Sequence, residues 1–248
     1  MVQNAQRKAV PQEQAAERKN KMAIQDYTCS ALFDMKESIA APLFDGVVYP
    51  WEILGEIEEF ILKLGPTLPE DRFEKRGENI WVARSARIFD SASITGPCII
   101  DENAEIRQCA FIRGKAVVGK GCVVGNSCEL KNAILFNHCE VPHFNYVGDS
   151  VLGFHAHMGA GAITSNIKSD RTNVVVRDGK EEFATGLRKM GAMLGDYVEV
   201  GCNSVLNPGT VIGRHSNIYP LSMVRGCVPA EHIYKSRNEV ILKHKQSV

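Results

Sequence analysis

The sequence carries no surplus charge of either sign: Lys plus Arg number 29 and Asp plus Glu number 29 in 248 residues. Its composition therefore gives no support for a nucleic acid or an anionic membrane surface as partner. No apolar run approaches the roughly 20 residues that a bilayer-spanning helix needs. The opening stretch, Met1 to Lys21, is rich in Gln, Ala, Lys and Glu, which excludes a secretory signal. There is no C-x-x-C pair, so a zinc knuckle has no anchor. The cysteines that are present do not read as a disulfide framework either. Cys98, Cys122 and Cys128 fall in the small-residue slot of a repeat, and Cys139 takes that slot in a shifted phase. They read as small buried hydrophobes in a reducing, cytoplasmic setting.

What the chain has instead is a period of six. Val82, Ile88, Ile94, Ile100, Ile106, Ile112, Val118, Val124 and Leu130 are evenly spaced, and Ala or Cys follows at the fourth position after each of the first eight. The beat returns at Leu194, Val200, Leu206, Ile212, Ile218 and Val224. Six fits neither a helix near 3.6 nor a plain strand at 2. It fits a parallel β-helix, in which short strands meet at corners and each coil stacks on the last. The aliphatic residue points inward, and the small one sits where the chain turns. Gly119, Gly125, Gly195, Gly201 and Gly213 follow the aliphatic residue, where a turn is expected to ask for positive φ.

The expected organisation is a polar arm over 1–25, a helical N-terminal segment and linker over 26–78, the solenoid over 79–229, and a C-terminal helix and tail over 230–248. Ile53, Ile57, Phe60, Ile61 and Leu64 share one helical face, and Gly65-Pro66 ends it. Trp51 is expected to pack this helix onto the first coil. Helical ends are expected to cap the solenoid, since an open end exposes core and unpaired backbone. The beat breaks twice. After Leu130 the phase slips to Leu135, Val141 and Val147, then to Leu152 and Met158. Beyond Ile163 a projecting loop over 164–193 holds Val174-Val175-Val176-Arg177-Asp178-Gly179-Lys180, a hairpin with an Asp-Gly turn. An irregular loop in a regular solenoid marks a functional region. Flat stacked faces make pockets where subunits meet, and the triangular section suggests a homotrimer.

Glu129-Leu130-Lys131-Asn132-Ala133, His143-Phe144-Asn145-Tyr146-Val147-Gly148-Asp149 and Gly159-Ala160-Gly161-Ala162-Ile163-Thr164-Ser165-Asn166 resemble the acetyltransferase half of bifunctional glucosamine-1-phosphate acetyltransferase/uridylyltransferases. Thr185 to Asp196 looks closer still to archaeal sugar-1-phosphate nucleotidylyltransferase/acetyltransferases, and Tyr49 to Leu54 looks like the linker entering that half. The resemblance covers about residues 49–237. It implies an all-β, left-handed parallel β-helix, an exception to the usual crossover hand. It also implies an acyl-CoA-dependent N-acyltransferase, with acetyl-CoA as co-substrate, acting on an amino sugar or its 1-phosphate in nucleotide-sugar or cell-envelope biosynthesis. No metal is required for that chemistry.

By the same resemblance His143 is the general base. Arg113, Lys131 and Tyr146 contact the sugar phosphate, Asn166 contacts the sugar, and Ala160, Cys202 and Arg237 contact CoA. Backbone N–H groups around Gly159-Ala160-Gly161 are candidate oxyanion donors. Transfer is expected to be direct, because no Ser or Cys stands beside a base. Two departures stand out: His157 replaces an Asn of the bacterial enzymes, and Thr172 and Val175 replace lysines of the archaeal ones. The stretch ahead of the solenoid is short and holds no Gly-rich nucleotide loop.

Two other readings stand beside this one. The first is a trimeric scaffold or regulatory subunit for a separate nucleotidylyltransferase. The second follows from the spacing of His138 and His143, five apart, also seen in γ-class carbonic anhydrases; that site needs a third ligand, which the sequence does not supply. His155 and His157 read as structural or rim residues.

Overall fold

The structure is a computed structural model that describes residues 25–243. The polar arm expected over 1–25 lies, apart from Gln25, outside the described residues, as do residues 244–248. The core is a parallel β-solenoid with three faces. The first face begins with Ile80–Ala83, Cys98–Ile100 and Ala116–Val118, the second with Arg87–Ile88, Glu105–Ile106 and Val123–Asn126, and the third with Ser93–Thr95 and Phe111–Arg113. Each strand pairs in parallel with the one a full coil later. Ile80 faces Cys98 and Cys98 faces Ala116, so each of these coils consumes three hexapeptides. The residues of the beat from Ile100 to Leu130, and from Leu194 to Val224, are buried, and so are Cys98, Cys122, Cys128 and Cys139. All eight cysteines are free thiols.

The register explains both slips in the beat. Ala116 pairs with Ala133 and Ala133 with Ser150, so each of these two coils falls one residue short of three hexapeptides. The missing residue is lost at the corner between the third and first faces. There Gly114 and Lys115, both at positive φ, give way to Asn132 alone (φ 51°) and then Asp149 alone (φ 49°). Each corner now sits inside one long strand, Glu129–Leu135 or Tyr146–Leu152. The same corner releases the loop. Val151 pairs with Met193, on the far side of the excursion, which contains the antiparallel hairpin Val175–Asp178/Glu181–Ala184. The chain rejoins in register, with His157 facing Glu199 and Ile163 facing Val205.

The glycines after the aliphatic residues are not there for positive φ, which none of the five adopts. A β-carbon at Gly119 would lie 2.7 Å from the Leu135 carbonyl oxygen, and one at Gly195 2.8 Å from Arg214 N. Coils stacked at strand spacing leave no room for a side chain there. Positive φ falls instead on non-glycine corner residues such as Asn103, Ser127, His138, Phe144 and Leu221.

The N-terminal segment forms the short helix Cys29–Leu32, 3₁₀ turns, a 3₁₀ stretch Pro50–Gly55 and the helix Ile57–Leu64. It runs back along the first face. Asp196 N donates to Leu32 O (2.9 Å), Asn137 N to Glu37 O (2.9 Å) and Asn132 Nδ2 to Leu54 O (3.1 Å). Phe33 and Phe44 pack on Phe136, with ring centroids 4.9 and 5.7 Å apart. The outward residues of this face, Ile99, Val117, Ile134, Val151, Met193 and Val211, are therefore fully buried. Trp51 does not pack on the first coil. It stacks on Tyr49 at 4.6 Å, and its 3₁₀ stretch lies against Tyr146–Leu152, well along the solenoid. Trp81 of the first coil is met by Gly65. The linker also supplies a strand, Phe73–Gly77, antiparallel to Ile80–Ala83.

The expected C-terminal capping helix is not formed. His232–Ser236 and Glu239–Leu242 make an antiparallel hairpin whose first strand pairs in parallel with Asn217–Ile218. Val240-Ile241-Leu242 suits a strand. An added strand also satisfies the backbone edge of the last coil, which a helix would leave unpaired.

Candidate functional site

Four residues singled out from the sequence meet where the third face turns into the first. Along Glu129–Leu135, Leu130 is buried in the core, and Glu129 and Lys131 flank it on the outer side. One coil on, Tyr146 stands in register with Glu129. The hub is Asp149, only 5% exposed, at the tight corner. Its carboxylate accepts from Asn132 Nδ2 (2.9 Å), Lys131 Nζ (3.3 Å) and Asn166 Nδ2. Asn166 Nδ2 also donates to the Tyr146 hydroxyl (3.1 Å). Asn132, Asp149 and Asn166 follow one another at the spacing of the shortened coil, so the short coils bring three corner side chains into one stack. Arg113 donates to Glu129 Oε1 at 2.8 Å. Burial, then the charges of Asp149 and Glu129, push the Tyr146 hydroxyl above its usual pKa. The sequence reading placed Lys131, Tyr146 and Asn166 but not Asp149, Asn132 or Glu129, which hold them. The signal for Asp149 was the phase slip itself, which puts it at a corner.

His143 closes the strand Glu140–His143 on the second face, in register with Asn126. It is exposed at the corner between the second and third faces, just ahead of Tyr146. Its backbone is held firmly: His143 N donates to Asn145 Oδ1 (3.0 Å) and His143 O accepts from Gly161 N (3.0 Å). Buried Asn145 donates onward to Gly159 O and Ala162 O at 2.9 and 3.0 Å. Of the expected oxyanion donors, Gly159 N–H and Gly161 N–H are committed to Val200 O and His143 O. Ala160 N–H is the one in that run with no acceptor among the described residues.

Ala160 and Cys202 lie on adjacent coils of that same corner. Cys202 is exposed and lines a groove of about 800 Å³ on the second face, with Gly159, His157, Glu199, Tyr219 and Leu242. The C-terminal hairpin forms its outer wall, and Arg237 sits in that hairpin's turn. So the structure gathers the two groups of candidate residues at different places on the solenoid. Lys131, Tyr146 and Asn166 cluster around Asp149. Cys202 lines the groove, Ala160 follows its lining residue Gly159, and Arg237 lies in the turn of the hairpin that supplies its outer wall. His143 stands at the corner from which the third face leads to Tyr146.

His138 does not join His143. It lies at the other end of the strand, at the corner between first and second faces, in a ring stack that the sequence reading did not foresee. His138, His155, Tyr197 and His215 stack in successive coils at 5.0, 5.5 and 4.8 Å, with interplanar angles of 13°, 13° and 8°. All four have φ between 55° and 59°. A corner that repeats its backbone conformation projects each ring in the same direction. No group of three or more metal-ligating side chains is assembled among the described residues.

This architecture defines a hexapeptide-type parallel β-solenoid with a polar cluster at the corner between the third and first faces and a groove on the second face. The chain's sequence relatives include bifunctional nucleotidylyltransferase/acetyltransferases. The GMPPB C-terminal domain family matches residues 94–212. The chain is 28% identical over 222 residues to a "Bifunctional protein GlmU" of Methanococcus maripaludis, covering 82% of this chain and 50% of that protein. It is 32% identical over 166 residues to a "Bifunctional sugar-1-phosphate nucleotidylyltransferase/acetyltransferase" of Sulfurisphaera tokodaii, covering 60% of this chain and 41% of that protein. The chain thus spans about half the length, or less, of these curated relatives. Among solved structures, a UDP-N-acetylglucosamine acyltransferase of Francisella novicida aligns loosely, at 16% identity and a TM-score of 0.39 over 65% of this chain and 67% of that one.

Proposed function

We propose that this chain is an acyl-CoA-dependent N-acyltransferase whose acceptor is an amino sugar, with the sugar phosphate as its preferred form and acetyl-CoA as donor. The observation that carries this reading is the convergence of Lys131, Tyr146 and Asn166 on Asp149, on the face that His143 borders. Arg113 and Lys131 are suited to a phosphate, the first as a fork and the second as a point charge. The groove that Cys202 lines takes an elongated thioester carrier, with Ala160 N–H as donor to the developing oxyanion and Arg237 near the carrier's phosphates. His143, exposed at its corner, takes a proton from the acceptor's amino group, and the freed nitrogen then attacks the thioester carbonyl.

A homotrimer fits this reading. The first face is closed by the chain's own N-terminal segment, whereas Phe144 and Leu221 are 64 and 80% exposed at the corner between the second and third faces, and Met223 is 56% exposed on the third face just beyond it. Exposed apolar side chains near one edge suit an assembly surface. They border both the groove and His143, so a neighbouring subunit there would complete the site. The setting is cytoplasmic nucleotide-sugar or envelope biosynthesis. No helix among the described residues is long and apolar enough to cross a membrane.

The test is a thiol-release assay with acetyl-CoA against a panel of amino sugars and their phosphates. Activity is expected with at least one acceptor, and His143→Ala should lower turnover about 100-fold. An unchanged rate removes His143 from the mechanism. If no acceptor works and CoA gives no thermal stabilisation, the chain is the scaffold that forms the alternative.

A further inference from the structure

The groove holds a second imidazole with an ordered partner. His157 and Glu199 face each other in register on successive coils, and His157 Nδ1 lies 2.9 Å from Glu199 Oε2. An ionised carboxylate only accepts hydrogen bonds, so this contact puts a proton on Nδ1 and leaves the Nε2 lone pair free. Both residues line the groove beside Gly159 and Cys202. Both also line an adjoining cavity of about 300 Å³, with His138, Glu140 and His155. The ring of His143, by contrast, makes no hydrogen bond to any described residue, and only its backbone is held.

Acyl transfer to an amine has a proton arithmetic that one imidazole leaves open. The acceptor arrives as an ammonium, R–NH3+, and departs as an amide, R–NH–acyl. Nitrogen therefore sheds two protons while the C–N bond forms and the C–S bond breaks. The expelled thiolate takes one proton back, and the other goes to solvent. We propose that His157, oriented by Glu199, is the second proton carrier of this site. Its Nε2 takes the proton from nitrogen in the tetrahedral adduct and delivers it to the thiolate sulfur as the C–S bond breaks. His143 takes the earlier proton, from the ammonium, and passes it to water. The proposal rests on the acyl-transfer reading above and adds to it a catalytic residue.

The surroundings suit a transient imidazolium. Glu199 faces His157 from the following coil and Glu140 from the preceding one. Glu231 and Lys243 stand on the groove's other wall, and His138 and His155 lie across the small cavity. Glu199 holds the ring's tautomer and balances its charge, as an orienting carboxylate does for any general-base histidine.

The test compares wild type, His157→Gln and Glu199→Gln in the thiol-release assay across pH, with CoA affinity measured by calorimetry. His157→Gln should lower kcat about 100-fold, as expected for a lost general base, while CoA affinity stays within about threefold. Glu199→Gln should lower kcat about 10-fold with KM for either substrate little changed, because the ring loses its orientation and tautomer rather than its contact with substrate. If the wild type is active and both variants keep its kcat, the second carrier is overturned while the acyl-transfer reading survives. A wild type silent toward every amino-sugar acceptor overturns both.

Discussion

Asp149 shows how one side chain can set a site. It is nearly buried, and Asn132, Lys131 and Asn166 all donate to it. A carboxylate removed from water is tolerated when its lone pairs are met by donors. Asp149→Ala is expected to cost about 2–4 kcal/mol in urea unfolding, the loss of several charge-assisted hydrogen bonds together with orphaned partners. It should also raise KM for the acceptor more than it lowers kcat. Asp101 shows the opposite balance. It is buried at a corner and accepts from Glu102 N at 2.7 Å, and desolvation raises its carboxyl above the usual range. A folded-state pKa above the unfolded one means that the native form binds the proton more tightly. The ionised side chain therefore weakens the fold above that pKa, and the penalty disappears as pH falls through it. Asp101→Asn should be at least as stable as wild type at neutral pH, and its advantage should shrink in mild acid, read from urea midpoints under both conditions. The motifs singled out Lys131, Tyr146 and Asn166, but not that they would meet at Asp149, because a hub is defined by what meets it.

Individual elements follow from stacking more than from propensity. Most strands of the solenoid are too short to persist alone, and each is held by a coil above and a coil below. That is why the glycines after the aliphatic positions matter. Gly119→Ala puts a methyl group against the Leu135–Asn137 backbone and is expected to lower Tm by several degrees, a loss of about 1–3 kcal/mol for overpacking. The terminal hairpin obeys the same logic. The segment 230–248 was expected to form a helix and tail, yet the open edge of the last coil offers unpaired backbone to any strand within reach. The edge decided the outcome, and the local pattern permitted both.

At the level of the molecule, the three faces have three fates. The first is sealed by the N-terminal segment, the second carries the groove, and the third carries the polar cluster. Paired aliphatics at 99–100, 117–118, 134–135, 151–152, 193–194 and 211–212 were the sequence's sign that the first face is apolar outside as well as inside. The corner between the second and third faces keeps Phe144 and Leu221 in solvent, and Met223 beside it on the third face is exposed as well. Leu221→Asp should leave the fold intact, since the side chain touches little within its own coil, but shift the protein toward monomer in light scattering. It should also lower acyl-transfer activity, because the site is proposed to need its neighbour. A variant with the same mass and activity as wild type would move the assembly surface elsewhere.

The period of six settled that the chain would coil, which residues would fill the core and where the regularity would fail. These properties repeat from one hexapeptide to the next, so local sequence carries them. The partners across coils are another matter. Lys131 and Asn166 meet at Asp149 because two corners dropped a residue, and His157 meets Glu199 because a loop left the stack and returned in register. Contacts between successive coils are set by how much chain each coil consumes. That length is fixed only when every strand has found its neighbour.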